Sequence, residues 1–215
     1  MPETLQKGAL YIVSTPIGNL EDITLRALHL LKSVNLIAAE DTRHTKHLLT
    51  KYAIPTVLTS YHDHNKEEKT PVLIQRLQEG QSLALVCDAG TPGISDPGFY
   101  LIRRCIQERI PIIPVPGPTA AIAALTVSGL PTDAFFFAGF LPKKRTARLN
   151  RLTTLKDQTA TLILYESPHR LTKTLKDSLE VLGNRQAVIA RELTKVFEEV
   201  IRGSLEELLA GLQAK

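Results

Sequence analysis

Short apolar runs rich in Val and Ile alternate, through the first half of this chain, with segments of helical length and period. The runs are 9–13, 36–39, 56–58, 83–86 and 110–115. Runs of three to six mostly apolar residues suit strands buried on both sides, as in a parallel sheet, although a buried helix gives a similar short signature. Between them, Leu25, Leu28, Leu31 and Ala27 share one face of a helix-period segment that follows Asp22. Further helices are expected over 43–52, 71–78 and from Asp96 and Pro97 to Glu108, with 62–69 as a loop. Strands interleaved with helices specify an open, mostly parallel α/β sheet, so residues 1–115 read as one domain.

The pattern changes after Val115. Pro116-Gly117-Pro118 is a stiff turn, and Thr119 is placed to cap an alanine-rich helix from Ala120 to Val127. Strands are expected at 135–137, 162–165, 188–190 and 196–201, with helices after Pro168 and Ser204. This less regular order predicts a second, mixed α+β domain over 116–215.

Composition removes several classes. With 43% hydrophobic and 22% charged residues the chain can bury a core and is not disordered. No stretch approaches the about 20 apolar residues of a membrane span, and residues 1–7 lack a secretory apolar region. Cys87 and Cys105 have neither disulfide-framework nor zinc spacing, which fits a reducing, cytoplasmic setting. A net charge of +4 is compatible with a polyanionic partner without requiring one. Neither a P-loop nor a G-x-G-x-x-G fingerprint is present. Gly93-Ile94-Ser95-Asp96-Pro97 misses the serine-hydrolase elbow by its final Pro, and His62-Asp63-His64 lacks further ligands, so no metal is expected.

The chemistry is expected on loops at the carboxyl ends of strands, where α/β sheets bind ligands. Asp88 to Gly98 carries three glycines and two prolines directly after a strand, more than a plain turn demands. Ser14 to Leu20 and Pro114 to Ala120 occupy comparable places, each also readable as a structural turn or cap. Glu40-Asp41-Thr42-Arg43 offers either a carboxylate pair that accepts a proton or orients an Arg, or a helix cap by Asp41 or Thr42. Lys143, Lys144, Arg145, Arg148, Arg151 and Lys156 form an acid-free cationic stretch. It is either a solvated face or a mobile loop that contacts phosphate.

Seven motifs occur in order: Ser14-Thr15-Pro16-Ile17-Gly18-Asn19-Leu20, Ala39-Glu40-Asp41-Thr42-Arg43, His62-Asp63-His64-Asn65, Asp88-Ala89-Gly90-Thr91-Pro92, Pro116-Gly117-Pro118, Tyr165-Glu166-Ser167-Pro168-His169-Arg170 and Ala190-Arg191-Glu192-Leu193-Thr194-Lys195. Together they closely resemble the ribosomal-RNA-modifying branch of the tetrapyrrole methylase superfamily, over nearly the whole chain. The resemblance implies a two-domain α/β fold of that type with S-adenosylmethionine in the cleft between the domains, usually in a homodimer. It implies methylation of a cytidine ribose 2′-oxygen in the 16S RNA of the small ribosomal subunit. It assigns cofactor contacts to Pro16, Ala89, Gly90, Thr91, Ile94, Thr119 and Ala120, and in the second domain to Tyr165, Glu166 and Ala190. Members ordinarily continue past the last helix with an apolar strand and a basic helical tail. This chain ends at Lys215, so the second domain is expected to lack them.

For such a reaction a base near the ribose hydroxyl helps, and the candidates are Glu40, Asp41, His64 and Asp88. The residues alone do not choose among them, and catalysis by positioning alone stays open. Arg43, Lys143, Lys144 and Arg145 are the expected RNA contacts. The alternatives are methylation of a tetrapyrrole carbon, disfavoured by Gly90-Thr91-Pro92 where that branch has Gly-Asp-Pro, and a non-catalytic RNA-binding module that keeps the fold.

Overall fold

The structure, a computed structural model, describes residues 5–213. It divides into two compact units, Met1–Thr119 and Ala120–Lys215. The division falls four residues beyond the one expected from composition. The Pro116–Pro118 turn packs back on the first unit, where Pro118 O accepts a hydrogen bond from Thr91.

The first unit holds β1 (Leu10–Val13), α1 (Leu25–Ser33), β2 (Leu36–Ala39), α2 (Thr42–Lys51), β3 (Leu58–Ser60), α3 (Lys66–Gln78), β4 (Leu83–Val86), α4 (Gly98–Gln107) and β5 (Ile112–Val115). The five strands form one sheet in the order β3-β2-β4-β1-β5, and every pair is parallel. Alternate strand residues feed two cores. Tyr11, Val13, Ile37, Ala39, Ala84 and Val86 meet Ala27, Leu30 and Leu31 of α1 and Leu48 and Leu49 of α2. Leu10, Ile12, Leu36, Ala38, Leu83 and Leu85 meet Leu73 and Leu77 of α3 and Leu101 and Cys105 of α4. Covering both faces with helices is what makes continuous apolar strands stable here.

Several boundaries differ from expectation. The α1 face is set by Ala27, Leu30 and Leu31, whereas Leu25, expected on it, is 86% exposed. Thr24, not Asp22, caps this helix, accepting from Ala27 N at 3.1 Å. Strand β3 starts two residues late, because the Thr56 hydroxyl donates to Leu31 O and pairing begins with Ile37 N on Val57 O. Helix α3 includes the end of the expected 62–69 loop. It begins at Lys66, with Glu67 and Glu68 in the positive first turn, and tolerates Pro71 one turn further on.

The second unit contains α5 (Ala120–Ser128), β6 (Phe135–Phe140), α6 (Arg145–Thr153), β7 (Thr161–Tyr165), α7 (Pro168–Leu182), β8 (Gln186–Arg191), β9 (Glu199–Ser204) and α8 (Leu205–Gln213). β6 and β7 pair parallel with a bulge between Phe137 and Gly139; β8 and β9 pair antiparallel. Strand β9 starts and ends three residues later than the expected 196–201. Residues 192–198 make a tight turn, with Lys195 N on Glu192 O and Glu198 N on Lys195 O.

The cationic stretch 143–156 is not a mobile loop but centres on α6. Of its charges, Arg148 is buried against Asp177 at 2.6 Å, and Arg145 pairs with Asp177 and Glu180. The acids that partner these two arginines come from α7 rather than from the neighbouring sequence.

Candidate active site

In the first sheet β1 lies between β4 and β5, while its own chain connection runs to β2. The loops after β1 and β4 therefore leave adjacent strands toward opposite sides, the switch point at which α/β sheets open a crevice. Two hydrogen bonds bridge it: Thr15 N donates to Gly90 O at 2.8 Å, and Gly90 N to Thr15 O at 3.0 Å. The Thr15 hydroxyl donates to Cys87 O at 3.1 Å. Ser14 Oγ lies 2.9 Å from Thr91 Oγ1, which donates onward to Pro118 O at 3.3 Å. Three loops drawn from Ser14 to Pro118 are thus locked together by main-chain and hydroxyl groups.

Two glycines make the lock possible. Gly90 has φ +86°, a left-handed conformation that side chains disfavour. At Gly117 a Cβ would lie 2.9 Å from Ser14 Cβ, so the turn approaches β1 as closely as backbone allows. Below them, Asp96 ties its own loop: one oxygen accepts from Gly93 N at 2.7 Å and the other from Gly98 N at 2.6 Å.

The carboxylates of this edge differ in character. Burial, then the Asp88 charge, with Asp96 and Asp63 behind it, raises the Glu40 pKa above the ordinary Glu value, against an opposing Asp88 main-chain N–H. Asp41 does the reverse: hydrogen bonds from the Arg43 guanidinium, at 3.1 and 2.7 Å, and from Arg43 N at 2.8 Å hold its carboxyl far below the usual range. Asp41 both caps α2 and orients Arg43. Asp88 Oδ1 accepts from Asp41 N at 3.0 Å, joining the β2 and β4 loops. His64 is exposed, its ring centroid 6.0 Å from that of His62. The buried Cys87 thiol is pushed up to about 12 by desolvation and is no nucleophile.

Of the sequence candidates, Pro16, Glu40, Asp41, Asp88, Ala89, Gly90 and Thr91 lie together on loops at the carboxyl edge of the sheet, with Thr119 just after the interlocked turn and Ile94 48% exposed further along the β4 loop. In the second unit, Ala120 begins α5, Tyr165 ends β7 edge-on to Phe137 at 4.9 Å, and Ala190 sits in β8 opposite Val200. Glu166 is turned inward, its carboxylate accepting from Ser167 N at 2.8 Å and from Thr174 Oγ1 at 2.5 Å. The sequence placed Ser14, Asp96 and Gly117 on the candidate loops without giving them an individual role. The spacing Gly93-x-x-Asp96-x-Gly98 was the available signal for Asp96.

A sequence profile of the Tetrapyrrole (Corrin/Porphyrin) Methylases matches residues 9–209. The chain belongs to the tetrapyrrole methylase family. It is 57% identical over 94% of its length to a ribosomal RNA small subunit methyltransferase I of Halalkalibacterium halodurans, 70% of which is covered. It is 52% identical over 98% of its length to the protein of the same name from Vibrio cholerae, 74% of which is covered. Among solved structures, a uroporphyrin-III C-methyl transferase from Thermus thermophilus, complexed with S-adenyl homocysteine, superposes with TM-score 0.63 at 20% identity. That match covers 94% of this chain and 91% of the other.

The site geometry suits the cationic nucleoside cofactor on two counts. Interlocked main chain at a switch point lets a ligand approach without side-chain obstruction, and Glu40 and Asp88 place negative charge at the same edge. Gly117→Ala tests the first count. The added methyl must displace Ser14 or the turn, and overpacking of this kind costs about 1–3 kcal/mol. A lower Tm together with weaker S-adenosylhomocysteine binding by calorimetry is expected; wild-type affinity would show that the interlock does not shape the cofactor site.

Proposed function

We propose that this protein transfers the methyl group of S-adenosylmethionine to the ribose 2′-oxygen of a cytidine in 16S rRNA of the small ribosomal subunit. The reading is supported above all by the interlocked switch-point loops, in a chain so similar to the relatives named for methylating small-subunit rRNA. The cofactor, when bound, supplies a methyl already activated by positive sulfur. The chain's task is then to orient the acceptor and take its proton. Orientation of this kind lowers a barrier by up to about 7–11 kcal/mol in favourable cases.

Pro16, Ala89, Gly90, Thr91, Ile94 and Thr119 hold the cofactor from the first unit, mainly through backbone. Ala120, Tyr165, Glu166 and Ala190 are carried as further contacts by the resemblance. Since the Glu166 carboxylate is engaged internally, its contribution is main-chain. Glu40 is the base. Burial and the Asp88 charge raise its proton affinity, as a poised acceptor needs, whereas the Arg43 pair makes Asp41 a poor one. Asp88 keeps that affinity high and fixes the Asp41 backbone. His64 lies outside this arrangement as an exposed neighbour.

Lys143 and Lys144 are exposed, without an acidic partner among the described residues, and contact RNA phosphate. The charges of Arg43 and Arg145 are already partnered and make secondary contacts at most. The same reading makes the protein a cytoplasmic homodimer. The exposed Phe135, Phe140, Val196 and Phe197 are apolar surface of the kind a subunit interface covers. Among the described residues no helix is long and apolar enough to cross a membrane.

Labelled-methyl transfer to unmethylated 30S subunits tests the reading, with the product mapped to a cytidine 2′-oxygen. Transfer to a uroporphyrinogen and none to 30S would place the chain in the tetrapyrrole branch, and retention of RNA without transfer would make it a binding module.

A further inference from the structure

The turn that carries Lys143 and Lys144, which have no acidic partner among the described residues, is held by side-chain bonds to its carbonyl groups. Arg170 Nη2 donates to Leu141 O at 2.8 Å and to Pro142 O at 3.2 Å. Arg148 Nη1 donates to Pro142 O at 3.3 Å and to Lys143 O at 3.0 Å. Lys144 O accepts from Arg148 N in the first turn of α6. Four consecutive carbonyls, Leu141 to Lys144, are therefore engaged, while the side chains of Lys143 and Lys144 are exposed.

Behind the turn, the Arg148 and Asp177 side chains are each only 5% exposed, joined by Nε–Oδ2 at 2.7 Å and Nη2–Oδ2 at 2.6 Å. The other Asp177 oxygen accepts from Arg145 Nε at 3.1 Å. A guanidinium fork can serve a carboxylate and two carbonyls at once, which a lysine ammonium cannot do with fixed geometry. A buried ion pair is a poor device for stability alone, since apolar residues of similar volume often serve as well or better. Here its remaining donors are directed at one short segment, and that segment bears the charges.

We propose that Arg148 and Asp177 are positioning residues for RNA binding: their buried pair, with Arg170, shapes the Leu141–Lys144 turn so that Lys143 and Lys144 are presented to rRNA phosphate. The proposal rests on the reading of these lysines as RNA contacts. An acid-free cationic segment in a flexible loop would lose side-chain and backbone entropy on every phosphate it met. A turn with its carbonyls already engaged has lost the backbone part before binding.

The test uses the full chain with unmethylated 30S subunits, reading KM, kcat, the dependence of KM on salt, and S-adenosylhomocysteine affinity. Lys143→Ala with Lys144→Ala removes the contacts. Arg148→Met with Asp177→Leu removes the clamp but keeps both lysines and fills the buried volume. The clamp variant is expected to raise the 30S KM about fivefold or more and to lower the salt slope by about one, with kcat and cofactor affinity near wild type. A merely structural pair, replaced by packing, would leave KM and salt slope unchanged. That result, beside an impaired lysine variant, overturns the positioning role and leaves the RNA reading intact. If the lysine variant itself keeps wild-type KM and slope, the RNA reading of the turn falls and the proposal with it. Should the clamp variant not fold, Arg170→Gln frees the Leu141 carbonyl and leaves Pro142 O to Arg148 alone. A raised KM with a lowered salt slope then supports the positioning role, and wild-type values overturn it.

Discussion

Glu40→Gln is expected to lower kcat for rRNA methylation by about 10²–10⁴-fold while leaving S-adenosylhomocysteine affinity within a few-fold of wild type. The amide keeps the size and the hydrogen-bonding capacity of the side chain but cannot accept the hydroxyl proton. The pH profile separates this role from a packing role. In the wild type the active form is the carboxylate, so the rate falls as pH drops through the Glu40 pKa. Burial and the Asp88 charge have moved that pKa above the ordinary Glu value. The acid limb should therefore lie at higher pH than a free Glu would give, and it should vanish in the Gln variant.

Stability runs the opposite way. A carboxylate whose folded pKa exceeds its unfolded one penalises folding above the folded pKa, and the penalty is relieved as pH falls through the folded value toward the unfolded one. At neutral pH the Gln variant carries no such penalty and is expected to be at least as resistant to urea as wild type. Loss of turnover without loss of stability marks a catalytic carboxylate. Unchanged kcat would leave methyl transfer to positioning alone or to another base, and Asp88→Asn would be the next variant to measure. Asp41→Asn is expected to act less on kcat, because the Arg43 contacts already hold that carboxylate in its weakly basic form.

Much of the first unit was legible because its signals are local. A buried parallel strand announces itself in four apolar letters, and the loop after it begins where Pro, Gly and Asp appear. That sufficed to gather Glu40, Asp88 and Gly90 at one edge. The interlock was not legible, since it joins Ser14 to Thr91 and Thr91 to Pro118, and spacing carries no trace of bonds between such distant hydroxyl and carbonyl groups. Leu25 misled for a related reason. It shares a period with Leu28 and Leu31, but Ala27, Leu30 and Leu31 form the stripe that faces the sheet. At 143–156 the solvated-face reading fits five of the six cations, and the mobile-loop alternative fails because it read charge locally. Six cations without an acid resemble a loop until Asp177 and Glu180, on a helix 29 to 35 positions later, supply the counter-charges.

Those counter-charges are unequal, and Asp177→Ala is expected to cost about 3–5 kcal/mol of stability. The substitution leaves the Arg148 guanidinium 5% exposed with no carboxylate, and a buried cation without a partner bears most of its desolvation penalty. Natural domains are stable by only about 5–15 kcal/mol, so the loss should shift the unfolding transition of the second unit well below that of wild type. Near-ultraviolet circular dichroism reports it through Tyr165, the one tyrosine of that unit, packed edge-on to Phe137 and Phe140. Glu180→Ala is the control. It removes a carboxylate that binds the same Arg145, but at side-chain exposures of 61% and 56% solvent screens the pair, and no more than about 1 kcal/mol is expected. Arg148→Met with Asp177→Leu completes the comparison, because removing both charges and filling the space should restore most of what Asp177→Ala loses. A loss below about 1 kcal/mol for Asp177→Ala would mean that water or another acceptor reaches Arg148 once the carboxylate is gone. The burial seen around this pair would then not be the burial that matters in solution.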